Sequence, residues 1–74
     1  MKFDYGIDNN KIDITNIIFN NCLKDNIIFI PTNNVTRKNL FNIDPCPKKV
    51  KSIYINGCKF DNNTSITINI KKKI

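Results

Sequence analysis

Along much of the chain apolar and polar residues alternate with a period of two, the spacing of a strand that buries one face. Phe3 and Tyr5 alternate with Lys2 and Asp4 and predict a strand ending at Gly6, with a turn over residues 7–10. Ile12 and Ile14 alternate with Lys11 and Asp13 and predict a second. Ile27–Ile30 is a continuous apolar run of the length of a buried strand, stopped by Pro31. Val50–Ile55 and Cys58–Phe60 flank Asn56-Gly57, the pair favoured in a type I′ hairpin because both central residues take positive φ. Ile66, Ile68 and Ile70 alternate with Thr67 and Asn69, a last strand with one apolar face.

A helical spacing occurs once. Phe19/Leu23 and Ile18/Cys22 lie four apart within residues 16–23, and Thr15 precedes them as a cap. Residues 32–39 read as a polar loop, Leu40-Phe41 as its anchor and Asp44-Pro45-Cys46-Pro47 as a rigid turn. The sum predicts an all-β fold, a small single-domain sandwich or partly open barrel of five or six short strands, with at most one short helix near 16–23. The domain spans 1–74, with 71–74 as a basic tail. The inward set is Phe3, Tyr5, Ile12, Ile14, Ile18, Leu23, Ile28, Ile30, Phe41, Val50, Ile53, Ile55, Phe60, Ile66, Ile68 and Ile70, with Cys22 packed as a small apolar group.

Composition sharpens the picture. The 74 residues include 15 Ile, 14 Asn and 11 Lys but no Ala, Gln, Glu, His or Trp. Three of the best helix formers are missing, which excludes bundles and coiled coils. Histidine- or glutamate-centred acid–base catalysis and histidine-liganded metal sites are excluded with them. A plainer cause acts too, since an A/T-rich genome produces this alphabet without selection on the protein.

The formal net charge is +6. Residues 1–34 hold three Lys and four Asp, net −1, and residues 35–74 hold nine basic side chains against two Asp, net +7. That asymmetry suggests a polyanion as partner, and its candidate contacts are Arg37, Lys38, Lys48, Lys49, Lys51, Lys71, Lys72 and Lys73, with Tyr54 as a base-stacking platform. The plainer reading is a lysine-rich surface that keeps a small protein soluble. Three cysteines (Cys22, Cys46 and Cys58) make an odd set without a C-x-x-C spacing; they predict a reducing, intracellular setting, with a single Cys46–Cys58 bridge as the alternative. Residues 1–10 carry Asp4 and Asp8 where a signal peptide needs an apolar run, and no run approaches a membrane span.

The order Tyr5-Gly6, Asp13-Ile14-Thr15, Ile30-Pro31, Arg37, Asp44-Pro45, Lys51 and Ile53–Ile55 resembles a small uncharacterised β domain found in bacterial and giant-virus proteins. The similarity covers about residues 3–56. Its pattern tends to read F-G-D-P where this chain has Phe41-Asn42-Ile43-Asp44-Pro45. The resemblance implies a β domain and a viral or bacterial origin, hence a virion or host-cytoplasm setting if viral, and carries no activity with it.

The remaining titratable groups do not assemble a catalytic set: a Cys nucleophile has no His to activate it, and the Asp residues lack a calcium-loop spacing. No catalytic residue, cofactor, metal or small-molecule substrate is expected. The expected role is a non-catalytic interaction or structural module that binds a protein partner or itself through sheet edges. The alternative is a single-strand nucleic-acid-binding β-barrel.

Overall fold

The computed structural model describes residues 1–71, so Lys72 and Lys73 lie outside the described residues. Seven strands and two helices follow in the order β1 (Phe3–Ile7), β2 (Asn10–Asp13), α1 (Thr15–Asn21), β3 (Leu23–Lys24), β4 (Ile27–Ile30), α2 (Asn34–Phe41), β5 (Ser52–Ile55), β6 (Cys58–Phe60) and β7 (Ile66–Asn69). Two antiparallel sheets form, one in the order β2-β1-β5-β6 and one in the order β3-β4-β7. The mostly-β expectation holds, with seven strands in place of five or six.

Registers explain the core. Ile12, Tyr5, Ile53 and Phe60 lie opposite one another across the four-stranded sheet and share its inner face. Leu23, Ile28 and Ile68 do the same in the three-stranded sheet, with Ile30 beside Ile66. These faces meet Ile14 and Ile18 of the α1 region and Phe41 of α2 in one core. The Tyr5 and Phe41 rings meet edge to face at 5.0 Å.

Positive-φ residues set the turns. Asp25-Asn26 and Asn56-Gly57 take positive φ at both positions and close two-residue hairpins, as the Asn-Gly pair predicts. Of the seven non-glycine residues at positive φ, four are Asn and two are Asp, so the Asn-rich alphabet is used where short polar side chains are needed. Around α1, Asp13 Oδ1 accepts the Thr15 N–H at 2.9 Å, while the Thr15 hydroxyl accepts the Phe3 N–H at 2.9 Å. Thr15 thus ties the helix to β1 as its first residue and is not its cap: the N-cap position is Ile14, which has no side-chain capping bond.

Helix α2 departs from the expectation of a loop over 32–39. Asn33 sits at φ 85°, and its side chain accepts the N–H groups of Val35 (2.8 Å) and Thr36 (3.4 Å). Asn42 ends the helix in the left-handed region. The buried face is Arg37 plus Phe41, four apart, so half of the apolar stripe is a charged residue and the helical period is hidden. Val50 corrects a second expectation: it precedes β5 and is 64% exposed, outside the core.

Gly6 is fixed by space as well as by angle. Its φ is +150°, and a Cβ there would lie 2.0 Å from the Asn10 carbonyl oxygen on β2. Gly6→Ala is therefore expected to cost more than about 2 kcal/mol, because the β1–β2 pairing must shift to admit a methyl group. Urea unfolding measures it, and a midpoint equal to the parent's would contradict the packing described.

Candidate functional site

The sequence-derived polyanion set divides in two. Arg37 and Lys51 are 0% exposed, so neither faces solvent. Arg37 projects from α2 and spends its donors on main-chain carbonyls: Nε to Pro31 at 2.7 Å, one terminal nitrogen to Asp61 at 3.2 Å and the other to Thr64 at 2.7 Å. It joins the exit of β4 to the loop between β6 and β7. Burial lowers its pKa from the ordinary value, and it remains a cation. Lys51 donates from Nζ to the carbonyls of Cys46 (3.1 Å) and Lys49 and meets Asp44 Oδ1 at 2.9 Å. Its own N–H donates to Asn34 Oδ1, which joins the 44–51 turn to α2.

Tyr54 is also no open platform. It stands on the outer face of the four-stranded sheet, opposite Asp4 and Lys59, yet is only 7% exposed. Lys11 Nζ covers the ring at 4.3 Å from its centre, and the hydroxyl accepts the Asp8 N–H at 3.2 Å. Lys38, Lys48, Lys49 and Lys71 are exposed. Lys38 approaches Asp44 at 3.8 Å, and Lys48 and Lys49 lie on the loop before β5. Lys38 and Lys51 are brought together on either side of one carboxylate, and Lys49 joins them through its main-chain carbonyl.

Asp44 is the anion of this buried-edge cluster. The hydrogen bond from Lys51 holds its carboxyl below the ordinary 3.8, with the Cys46 N–H and Lys38 adding to the effect. Hydrogen bonds from Thr15 and Thr64 do the same for Asp13 and Asp61. The Tyr5 hydroxyl lies in the same interior without a hydrogen-bond partner among the described residues, and burial first, then Asp44, pushes it up to about 12. Arg37, Asp44 and Lys51 thus serve the internal framework of the fold.

All three cysteines carry free thiols. Cys22 and Cys46 are buried, the latter donating to the Asn10 carbonyl, and Cys58 is exposed, so the Cys46–Cys58 bridge is not formed. Among the described residues no three Cys or Asp side chains gather in a metal-binding group, and no helix is long and apolar enough to cross a membrane.

One face of the three-stranded sheet is open to solvent, and there two large apolar side chains stand on one strand, whereas exposed Met1, Phe19, Val35, Ile43 and Val50 lie on other segments. Ile28 and Ile30 of β4 point into the core, while Ile27 and Phe29 point out, 40% and 50% exposed. Lys24 and Asn69 flank Ile27 across the sheet, and Thr67 flanks Phe29. The sequence shows this surface only in part: the inward set takes Ile28 and Ile30 and leaves out Ile27 and Phe29. An uninterrupted Ile-Ile-Phe-Ile run predicts a strand buried on both faces, and the alternation that marks a half-exposed strand is absent because both faces are apolar.

Two measurements follow. Arg37→Lys keeps the charge but loses the planar fork, and is expected to lower stability by about 2–4 kcal/mol through carbonyls left unpaired; an unchanged urea midpoint would count against the clamp. A carboxyl whose folded pKa is depressed stabilises the fold above its ordinary value and ceases to as pH falls through the lower, folded one. Stability should therefore drop as pH falls through and below 3.8, the ordinary value of Asp13, Asp44 and Asp61. Asp44→Asn should flatten that acid limb and lower stability at neutral pH, where Lys51 loses its carboxylate; denaturant titrations between pH 2 and 7 read both.

Compared with protein-family models, with curated proteins and with solved structures, the chain finds no match in any of the three.

Proposed function

We propose that the protein is a non-catalytic interaction module that engages a protein partner through the open face of its three-stranded sheet. The observation that carries this reading is the pair Ile27 and Phe29, adjacent outward positions on the central strand of that sheet. Large apolar side chains grouped on one sheet face favour a partner that removes them from water, at about 25 cal/mol per Å² buried. Lys24 and the short polar side chains of Asn69 and Thr67 at the margin give the polar rim found around protein-binding patches. Free thiols suit a reducing compartment.

Nucleic-acid binding through the basic half has less support. Two of its strongest cations, Arg37 and Lys51, have their donors engaged inside the fold, and the aromatic meant to stack bases is roofed by Lys11.

A photo-crosslinking residue at position 29 is expected to give discrete protein adducts in cell extract, while the same residue at exposed position 20 on α1 gives none. Phe29→Ser should abolish competition by unlabelled protein with its circular dichroism unchanged. Equal labelling at both positions would refute the surface. A fluorescence-anisotropy titration with labelled single-stranded and duplex oligonucleotides is expected to show weak binding that added salt removes. Sub-micromolar affinity at physiological salt would instead establish the nucleic-acid reading.

A further inference from the structure

Strand β7 lies at the edge of the three-stranded sheet, and its backbone polarity can be assigned. The Ile70 N–H donates to the Asn26 carbonyl at 2.8 Å, which makes Asn26 and Ile70 a hydrogen-bonded pair in the β4–β7 register. In an antiparallel ladder such pairs alternate, so Ile68 and Ile66 also turn their backbone groups toward β4. The N–H and C=O groups of Thr67 and Asn69 then point away from the sheet, and no described residue bonds those N–H groups. The Lys71 N–H beyond them is taken by Asn69 Oδ1 at 2.9 Å, which ends the open stretch.

Among the four sheet edges this one stands apart. Strand β2 carries Lys11 and Asp13, β3 has only two residues including Lys24, and β6 carries Lys59. Charges on edges and very short edge strands are the usual obstacles to strand addition. Strand β7, Ile-Thr-Ile-Asn, has no charge and no proline. Its inward Ile68 is only half covered, as is Ile70 beyond it.

We infer that the β7 edge pairs with β7 of a second copy of this chain, antiparallel about a two-fold axis at Ile68. The inference rests on the interaction reading above and names the occupant of one part of that sheet. Self-pairing in this register sets Ile68 opposite itself, Thr67 opposite Asn69 and Ile66 opposite Ile70. Apolar side chains then meet apolar ones and polar meet polar. The same register brings the edge-facing residues together, so the two Thr67–Asn69 pairs each exchange two backbone hydrogen bonds. Lys71 falls opposite Ser65, and no like charges are directly opposed across residues 65–71. The product is a six-stranded sheet, β3-β4-β7 continued into its symmetry mate. The exposed Ile27 and Phe29 of both copies lie on one continuous face.

Sedimentation equilibrium over a range from micromolar to millimolar tests it. The chain is expected to move from its 8.6 kDa monomer mass to twice that mass as concentration rises. In the dimer, the Thr67 and Asn69 amides should exchange with solvent about tenfold more slowly than in the dilute monomer. Thr67→Pro removes an N–H that the monomer does not use and is expected to sediment as monomer with an unchanged circular-dichroism spectrum. Should that variant misfold, Thr67→Lys, an exposed substitution that puts a new lysine diagonal to the partner's Lys71, is expected to weaken the dimer at least tenfold with the fold intact. A wild-type chain that stays monomeric throughout, or a dimer unaffected by both substitutions, overturns the inference. If the monomer still captures a partner through position 29, the interaction reading stands without the dimer. If it captures nothing, both fall.

Discussion

A guanidinium sealed from water holds this fold together. Arg37 gathers three main-chain carbonyls from two loops, and its own helix is anchored to one of them through the Asn33 N–H and the Asn62 carbonyl. The need follows from size. A chain of this length buries only about 60% of the surface its unfolded form exposes, less than a larger domain does, and its core is small. Lys51 solves the same problem at the 44–51 turn, with Asp44 balancing its charge. Buried cations are costly unless every donor is satisfied, and here the irregular backbone supplies the acceptors.

This internal use of charge alters what the surface can be. The positive excess of the C-terminal half looks like a single electrostatic feature in the sequence, but two of its cations belong to the interior and others are spread over a helix, a loop, the middle of β6 and the residues after β7. The apolar residues are divided the opposite way. Ile27 and Phe29, members of the most hydrophobic run in the chain, face outward because β4 belongs to a sheet with one covered side. Two cations thus lie inside and two large apolar side chains of β4 lie outside, each the reverse of where its residue type is usually found.

Much of the scaffold was legible in the residues themselves. Period-two alternation located β1, β2, β5 and β7, and Asn56-Gly57 located the β5–β6 hairpin, because those signals depend on local geometry alone. Helix α2 was not legible, since its buried stripe contains Arg37 and its cap is one Asn among fourteen. Val50 misled for a related reason: it continues an apolar-polar alternation that the chain abandons before β5 begins. The exposed face of β4 was legible only in part: Ile27 and Phe29 stay outside the inward set, but an apolar run fits burial on both faces as well, and only the number of layers around a strand decides between the two. Whether Arg37 and Tyr54 face in or out depends on the carbonyls of Asp61 and Thr64 and on Lys11, far away in sequence, and Lys51 turns in onto the irregular turn just before it, whose conformation no periodic pattern encodes.

The strand order carries a consequence for how the molecule comes into being. Strand β1 sits between β2 and β5, so its second neighbour is supplied some fifty residues later, and β4 waits for β7 in the same way. Neither sheet can be completed from nearby segments. The hairpins β1–β2 and β3–β4 can form early, but each offers only half a sheet until the chain has closed a long loop. Such non-local pairing slows folding relative to a helical domain of equal length. During synthesis the apolar faces of both half-sheets stay uncovered until the last strand is made, so the interval before β7 docks is when the young chain is most open to association with its neighbours.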